Sequence, residues 1–332
     1  MSRPRLTVII PTHNGAETLV ACLHALRAGA LPPDEIIVVD DASTDGSAEL
    51  AISSGCRVIR LAENVGAARA KNRGASAATG DILFFTDDDV IVARDTLAHL
   101  VENFDDPQIA GVVGLLDRQI PFSDFASNFK NLWMRFTYAK MPRERIGVFY
   151  TSVAAVRREI FLKLGGFDEH YAGASIAEDT EFGQRVWAAG YHLRLDVRVT
   201  AVHHKHYTLS QVLRTDFLRA RALMLMRLRK WGDATRFYTS VPLFYQLAVP
   251  VLLLALAVLF AAVVISNWLL VSTSLVLFVA FYCLFISWFS FLARERGIGF
   301  SILAVLFQPI DVIVVGLGMF QALFEFVRGI RY

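Results

Sequence analysis

Gly80-Asp81-Ile82-Leu83-Phe84-Phe85-Thr86-Asp87-Asp88-Asp89-Val90 sets an apolar, strand-like run directly against three consecutive carboxylates. In open α/β sheets ligands collect at the carboxyl ends of strands. Adjacent carboxylates repel one another, so a cation normally compensates them. A hard divalent metal suits this role, since Mg²⁺ takes one or two carboxylates and completes its shell with water and substrate phosphates. The competing reading is a solvated acidic turn that caps a helix beginning near Arg94. The flanking sequence decides between the two.

Upstream, Leu6–Ile10 is a β-rich run ended by Pro11-Thr12-His13-Asn14-Gly15, after which Leu19, Cys22, Leu23 and Leu26 recur at helical spacing. Ile36–Val39 is a second strand, and it too runs into carboxylates: Asp40-Asp41-Ala42-Ser43-Thr44-Asp45-Gly46. Val58-Ile59 marks a third strand, Asn64-Val65-Gly66 opens an Ala-rich helix to about Thr79, and Ile82–Phe85 is the fourth strand. Four successive βα units predict a parallel, doubly wound α/β sheet. The first loop lacks the Gly-x-Gly-x-x-Gly that lets backbone approach a pyrophosphate, which disfavours hydride chemistry with a dinucleotide. Acidic groups after strands two and four point instead to a ligand with ribose or base groups at one end and a metal-bound diphosphate at the other.

Val8-Ile9-Ile10-Pro11-Thr12-His13-Asn14, then Ile36 through Gly46, then Asn64-Val65-Gly66 through Lys71-Asn72-Arg73-Gly74, then Asp87-Asp88-Asp89, taken in this order, resemble the family-2 glycosyltransferases of the GT-A fold. The resemblance covers residues 5 to about 215. It implies a GT-A doubly wound mixed sheet with helices on both faces and a nucleotide-sugar donor. Pro11, Thr12 and Asn14 would border the nucleotide and Asp41 would contact the base. Asp87 and Asp89 would form the Asp-x-Asp pair, Asp87 near the ribose and Asp89 on a divalent metal, Mn²⁺ or Mg²⁺, with Asp88 beside them in the donor site. Arg69 and Lys71 would contact the diphosphate, against the alternative of a solvated face on an Ala-rich helix.

Further along, Phe129, Leu132, Trp133 and Phe136 recur at helical spacing, as an interfacial helix or as ordinary core. Gly165-Gly166-Phe167-Asp168-Glu169 also resembles the family, where it lies below the acceptor site. Glu178-Asp179 opens a helix, and a carboxylate in a cleft can take a proton from an acceptor hydroxyl. By the resemblance Asp179 is the catalytic base of an inverting transfer. Val202-His203-His204 follows a strand-like stretch, and imidazole is a frequent ligand of transition metals. His203 is the expected further metal ligand, with His204 or a purely structural histidine as alternatives.

Hydrophobic residues make up 55% of the 332, an excess over ordinary globular sequences. It is concentrated at one end, since no charged side chain occurs between Arg236 and Arg294. About 20 apolar residues cross a bilayer core, so spans are expected at about 241–265 and 268–292, with Ser266-Asn267 as the turn and Trp268 as an interfacial anchor. A third apolar segment, 298–327, is interrupted by Gln308-Pro309-Ile310-Asp311 and is expected to span or to re-enter; Asp311 there is a functional or helix-packing residue. The start of the chain carries no secretory h-region, and Arg294 and Arg296 fit the positive-inside rule. A cytosolic catalytic domain (1–207) follows, then a basic amphipathic helix on the membrane surface (208–236) and a multi-pass domain in the inner or plasma membrane (237–332). Three scattered cysteines form neither a disulfide framework nor a zinc pattern.

The expected acceptor is membrane-associated, a lipid-linked sugar or polyprenyl phosphate of cell-envelope glycan synthesis; no nucleic-acid partner is expected. A growing polysaccharide is the alternative acceptor. The Gln-x-x-Arg-Trp motif of processive synthases is echoed only by Arg227-Leu228-Arg229-Lys230-Trp231, which speaks against polymer translocation. A transporter with a nucleotide-sensing domain is the reading outside the enzyme class, and two or three spans without broken-helix repeats make a poor carrier.

Overall fold

The computed structural model describes residues 3–171, 177–229 and 238–330, which divide into two compact units. The first holds the described residues of Met1–Phe122, Tyr138–His206 and Asp233–Thr239; the second holds those of Ser123–Thr137, Tyr207–Gly232 and Ser240–Tyr332.

The first unit begins with β1 (Leu6–Thr12), α1 (Ala16–Ala28), β2 (Glu35–Asp40), α2 (Ser47–Ser53), β3 (Arg57–Arg60), α3 (Ala67–Ala77) and β4 (Ile82–Phe85). It continues through β5 (Val90–Val92), α4 (Thr96–Glu102) and β6 (Ile109–Leu116). After helix α5 (Phe125–Ala139) come β7 (Ala154–Arg157), α6 (Arg158–Lys163), α7 (Glu178–Ala188) and β8 (His192–His203). The eight strands form one sheet in the order β3-β2-β1-β4-β7-β6-β8-β5. The first four pair in parallel, as βα crossovers demand, whereas β7 runs antiparallel to β4 and β6. The sheet is therefore mixed and doubly wound. Leu6 and Val8 through Ile10 are wholly inaccessible to solvent; because successive side chains point to opposite faces of a strand, both faces of the sheet are covered.

Two local features set the site. The β1–β4 ladder ends at Ile9↔Phe85 while β1 continues beside β2 to Thr12↔Asp40. Pro11, which has no N–H to donate, thus sits where the β4 side of its strand no longer needs one. The acidic triplet does not cap a helix. It turns into β5, which pairs with His203–Ala201 of β8, and α4 begins only at Thr96.

The second unit is helical: most of α5, then α8 (Leu209–Arg229), α9 (Leu243–Val264), α10 (Trp268–Leu284), α11 (Ile286–Arg296) and α12 (Ile298–Val327). Helices α9 and α12 are long and apolar enough to cross a membrane. Between them, where a span at about 268–292 is expected, α10 and α11 are bent by 52° about Phe285, as in a broken span or a re-entrant pair. The expected interruption at residues 308–311 does not occur, because α12 continues through Pro309. Membrane helices tolerate such a proline when neighbours satisfy the freed backbone groups. The turn is as expected, with Ser266 at φ +52° and the Asn267 side chain accepting from the Leu269 and Leu270 N–H groups. Phe260, Leu269 and Val327 lie 72%, 74% and 78% exposed, apolar surface that lipid would cover. The bundle interior holds a stack of Phe129, Trp133, Phe136, Trp288 and Phe307, so the aromatic stripe of α5 is core.

Candidate active site

The site gathers at the carboxyl ends of β1, β2 and β4 and at the start of α7. Thr12, the last residue of β1, donates through Oγ1 to Asp88 Oδ2 at 2.5 Å. The Asp88 carboxylate lies so close to the N-terminus of α1 that a Cβ on Gly15 would stand 1.9 Å from its Oδ2. Burial, with the charges of Asp89 and Asp87 adding to it against the Thr12 hydrogen bond, pushes Asp88 up to about 7. Three carboxylates in sequence are thus held together against their repulsion.

Asn14 adopts φ +57° and Ala42 φ +60° in the two loops that follow β1 and β2. Asparagine tolerates this region, but for alanine the left-handed conformation costs about 1–2 kcal/mol. The loops are tied together, since Asn14 Oδ1 accepts from the Thr44 N–H at 2.8 Å and the Asn14 N–H donates to Ser43 Oγ at 3.0 Å. Backbone strain of this kind persists where surrounding structure enforces it, and it clusters at functional sites. Asp41 is buried, and its two oxygens accept from the N–H groups of Val65 and Gly66 at 2.7 and 2.9 Å. It therefore fixes the loop that starts α3, with lone pairs left for a ligand donor.

Asp89 and His203 face one another across the β5–β8 pair. His203 Nε2 is 3.2 Å from Asp89 Oδ1, yet that buried oxygen has no hydrogen-bond partner. The Asp89 oxygen and the His203 ring nitrogen each have a lone pair that a cation could take up. Two protein ligands suit a hard cation that draws the rest of its shell from phosphate and water. Among the described residues no three His, Cys, Asp or Glu side chains converge as a ready-made metal site.

Asp87 accepts from Ser152 Oγ at 2.6 Å through Oδ2. Lys71, expected at the diphosphate with a solvated helix face as the alternative, is not on a solvated face: it is 2% exposed, and its ammonium lies 2.6 Å from Thr151 Oγ1, 3.4 Å from Glu178 Oε1 and 3.9 Å from Asp87 Oδ1. Burial alone would lower its pKa; Asp87 foremost, then Glu178 and Asp179, raise it above the ordinary lysine value. Arg69, two residues earlier, is an exposed cation of α3, as is Arg73, and lies 3.5 Å from Glu169.

Glu178 and Asp179 occupy the first turn of α7, where the helix dipole favours anions. Glu178 is buried on Lys71, whereas Asp179 is partly exposed and accepts from the Thr180 N–H. Of the two, Asp179 is the one a substrate can reach. The Gly165–Glu169 turn is clamped from both sides. Asn72 donates to the Phe167 carbonyl and accepts from the Phe167 N–H, while Arg185 of α7 donates to the Leu164 and Gly166 carbonyls. Gly165 and Gly166 have φ +80° and +70°, which only glycine adopts freely.

Sequence reasoning missed Thr151, Ser152, Gly15 and the inward role of Glu178. Thr151 and Ser152 contact Lys71 and Asp87 across separations of 80 and 65 residues, and no local pattern marks them. The Glu178-Asp179 pair was legible as a pair; which member turns inward was not.

The sequence-family model described as Glycosyl transferase family 2 matches residues 7–165. The O-antigen chain rhamnosyltransferase RfbN of Salmonella typhimurium is 30% identical over 220 residues, covering 61% of this chain and 68% of its own length. The O-antigen chain rhamnosyltransferase WbaN of Salmonella anatum is 28% identical over 228 residues, covering 64% and 70%. Among solved structures, the mannosyltransferase PcManGT of Pyrobaculum calidifontis, in complex with GDP-Man and Mn²⁺, aligns with a TM-score of 0.62 over 96% of this chain and 88% of its own, at 22% identity. That likeness concerns the fold.

Proposed function

The chain belongs to glycosyltransferase family 2, and from that premise we propose that it is an inverting, metal-dependent enzyme that moves a sugar from a nucleotide-sugar to a membrane-associated acceptor. The observation that carries the reading is that buried Lys71 lies beside both Asp87, which follows β4, and the first turn of α7, which bears the partly exposed Asp179. It is supported by the GDP-Man and Mn²⁺ bound by the mannosyltransferase of similar fold.

In this reading Pro11, Thr12, Asn14 and Asp41 border the nucleoside, Asp87 and Asp88 lie along the donor, and Arg69 offers an exposed charge for the diphosphate. Asp89 and His203 would hold the divalent metal, which when bound supplies Lewis-acid stabilisation of the charge that develops on the leaving diphosphate. Asp179 takes the proton from an acceptor hydroxyl. The acceptor oxygen bonds to the anomeric carbon as the bond from that carbon to the diphosphate oxygen breaks. The nucleoside diphosphate leaves with the electron pair and the configuration inverts.

Apolar helices α9 and α12 favour an acceptor whose reactive group sits at a bilayer surface, a lipid-linked sugar or a polyprenyl phosphate. The names of both Salmonella relatives support glycan-chain synthesis as the setting. The catalytic unit is read as cytosolic, on a multi-pass anchor in the plasma or inner membrane, with Arg294 and Arg296 on the cytosolic side.

The test is nucleotide release by detergent-purified protein from a panel of UDP-, GDP-, dTDP- and CDP-sugars, with Mn²⁺, Mg²⁺ or EDTA and extracted lipid acceptors. The expected result is metal-dependent release from one donor, raised by one acceptor. Binding of no donor would overturn the reading.

A further inference from the structure

The Lys71 ammonium lies among three side chains from three separate segments, two within hydrogen-bond distance and one at ion-pair distance. Thr151 Oγ1 is 2.6 Å away, Glu178 Oε1 3.4 Å and Asp87 Oδ1 3.9 Å. Thr151 opens the single turn Thr151–Val153 that precedes β7, Glu178 is the first residue of α7, and Asp87 follows β4. The neighbouring Ser152 donates to the other Asp87 oxygen at 2.6 Å. The Lys71 and Glu178 side chains are each only 3% exposed, so the charge of Lys71 is met by protein carboxylates. Removing one member of a buried ion pair leaves its partner's charge uncompensated, so such a pair constrains the elements that bear it.

Building on the transferase reading, we infer that Lys71 is a positioning residue that joins the donor carboxylate Asp87 to the start of α7, and thereby sets where Asp179 stands relative to the donor. Glu178 and Asp179 are consecutive on the first turn of α7, so any displacement of Glu178 moves Asp179 with it. Asp87, Asp88 and Asp89 are consecutive as well, and Asp87 is the member that reaches Lys71. One buried cation therefore spans the two carboxylate groups whose separation decides whether an acceptor hydroxyl meets the anomeric carbon. Glu178 is indispensable to the link although it touches no substrate, and its Oε2, buried without a hydrogen-bond partner, leaves the Lys71 side as its anchoring contact.

This role differs from a diphosphate contact in what it does to kinetics. A group that binds the donor changes donor affinity; a group that orients donor and base changes turnover, because misplacement by about 1 Å can cost about 100-fold in rate. The experiment measures donor dissociation constant and kcat, together with thermal stability, for the full chain in detergent and its Lys71→Met, Lys71→Arg, Glu178→Gln and Lys71→Met/Glu178→Gln variants. Lys71→Met is expected to lower kcat about 100-fold with donor affinity changed less than about 3-fold. Lys71→Arg, which keeps the cation, is expected to recover kcat to within about 10-fold of the parent, and the double variant to be less impaired than the product of its single variants. Should Lys71→Met fail to fold, Lys71→Arg and Glu178→Gln still separate kcat from affinity.

A rise of about 10-fold or more in the donor dissociation constant with kcat retained would overturn the inference in favour of a diphosphate contact. So would Lys71 and Glu178 effects that multiply independently. A parent protein that binds no donor would remove the transferase reading, and the inference with it. A contrary variant pattern on an active parent would remove the inference alone.

Discussion

At the scale of single residues, the acidic cluster depends on one missing side chain. Gly15 has an ordinary φ of −104°, so conformational freedom is not its purpose. A Cβ there would meet Asp88 Oδ2 at 1.9 Å and Thr12 Oγ1 at 2.6 Å. Gly15→Ala is expected to expel the Asp88 carboxylate and to weaken donor binding about 10-fold or more at a cost of about 1–3 kcal/mol in stability. Donor titration and thermal unfolding of the same sample check both parts. Asp179 gives the second prediction. If the acceptor presents a hydroxyl, Asp179→Asn should cut transfer by about 100- to 10,000-fold while donor binding persists. A phosphate acceptor is already ionised and would leave the variant active, so the same assay identifies the acceptor chemistry.

At the scale of elements, α7 carries the proposed base Asp179 and lies close against the chain beside it. A Cβ on Gly183 would come within 2.7 Å of the Val148 Cα and the Phe149 N, and Gln184 Nε2 donates to the Gly147 carbonyl at 2.8 Å. Gly183→Ala is expected to lift α7 and lower stability by about 1–3 kcal/mol. Turnover should fall with it, which paired kcat and unfolding measurements would detect. Strand β8 bears a second kind of fastening. Burial would raise the Asp196 pKa, but hydrogen bonds from Arg198 and Asn103, with the Arg198 charge, outweigh it and hold the carboxyl below its ordinary value. A depressed folded-state pKa contributes stability above the unfolded value of about 3.9 and loses it as pH falls through the folded value. Asp196→Asn should therefore destabilise the protein at neutral pH, and the gap from the parent should narrow on acidification; denaturant midpoints measured from pH 7 down to pH 3 test the sign.

At the scale of the whole molecule, the two units follow different solvents. The sheet unit buries apolar strands beneath helices and leaves carboxylates at the carboxyl ends of β2 and β4. The helical unit instead keeps apolar side chains outside and polar groups within. Asp311 accepts from Tyr245 Oη at 2.6 Å and from Gln308 Nε2 at 3.2 Å, Trp288 Nε1 donates to Gln308, and Lys130 pairs with Asp216. Glycine also serves this unit, since a Cβ on Gly318 would meet the Phe217 carbonyl oxygen at 2.4 Å, so α12 and α8 touch through backbone. Arg221 pairs with Glu325 at 2.6 Å, which turns part of the basic charge of α8 toward α12. The protein is expected to sediment with membranes and to resist extraction at alkaline pH while yielding to detergent. Release by carbonate would oppose insertion of α9 and α12.

The sequence by itself determined the βα order, the carboxylates after β2 and β4, and the uncharged stretch beyond Arg236, because each is written in local periodicity or in a run of one chemical kind. It also singles out Asp179 and His203 as candidates through their neighbours. Tertiary structure alone decided the rest. The antiparallel entry of β7, the bend at Phe285 and the unbroken course of α12 depend on what packs alongside each segment. Lys71 shows the reason most plainly: on its helix it reads as one more cation available to a phosphate. The burial of its ammonium among Thr151, Glu178 and Asp87 comes from partners 80, 107 and 16 residues away in the chain, a meeting that only the closed fold creates.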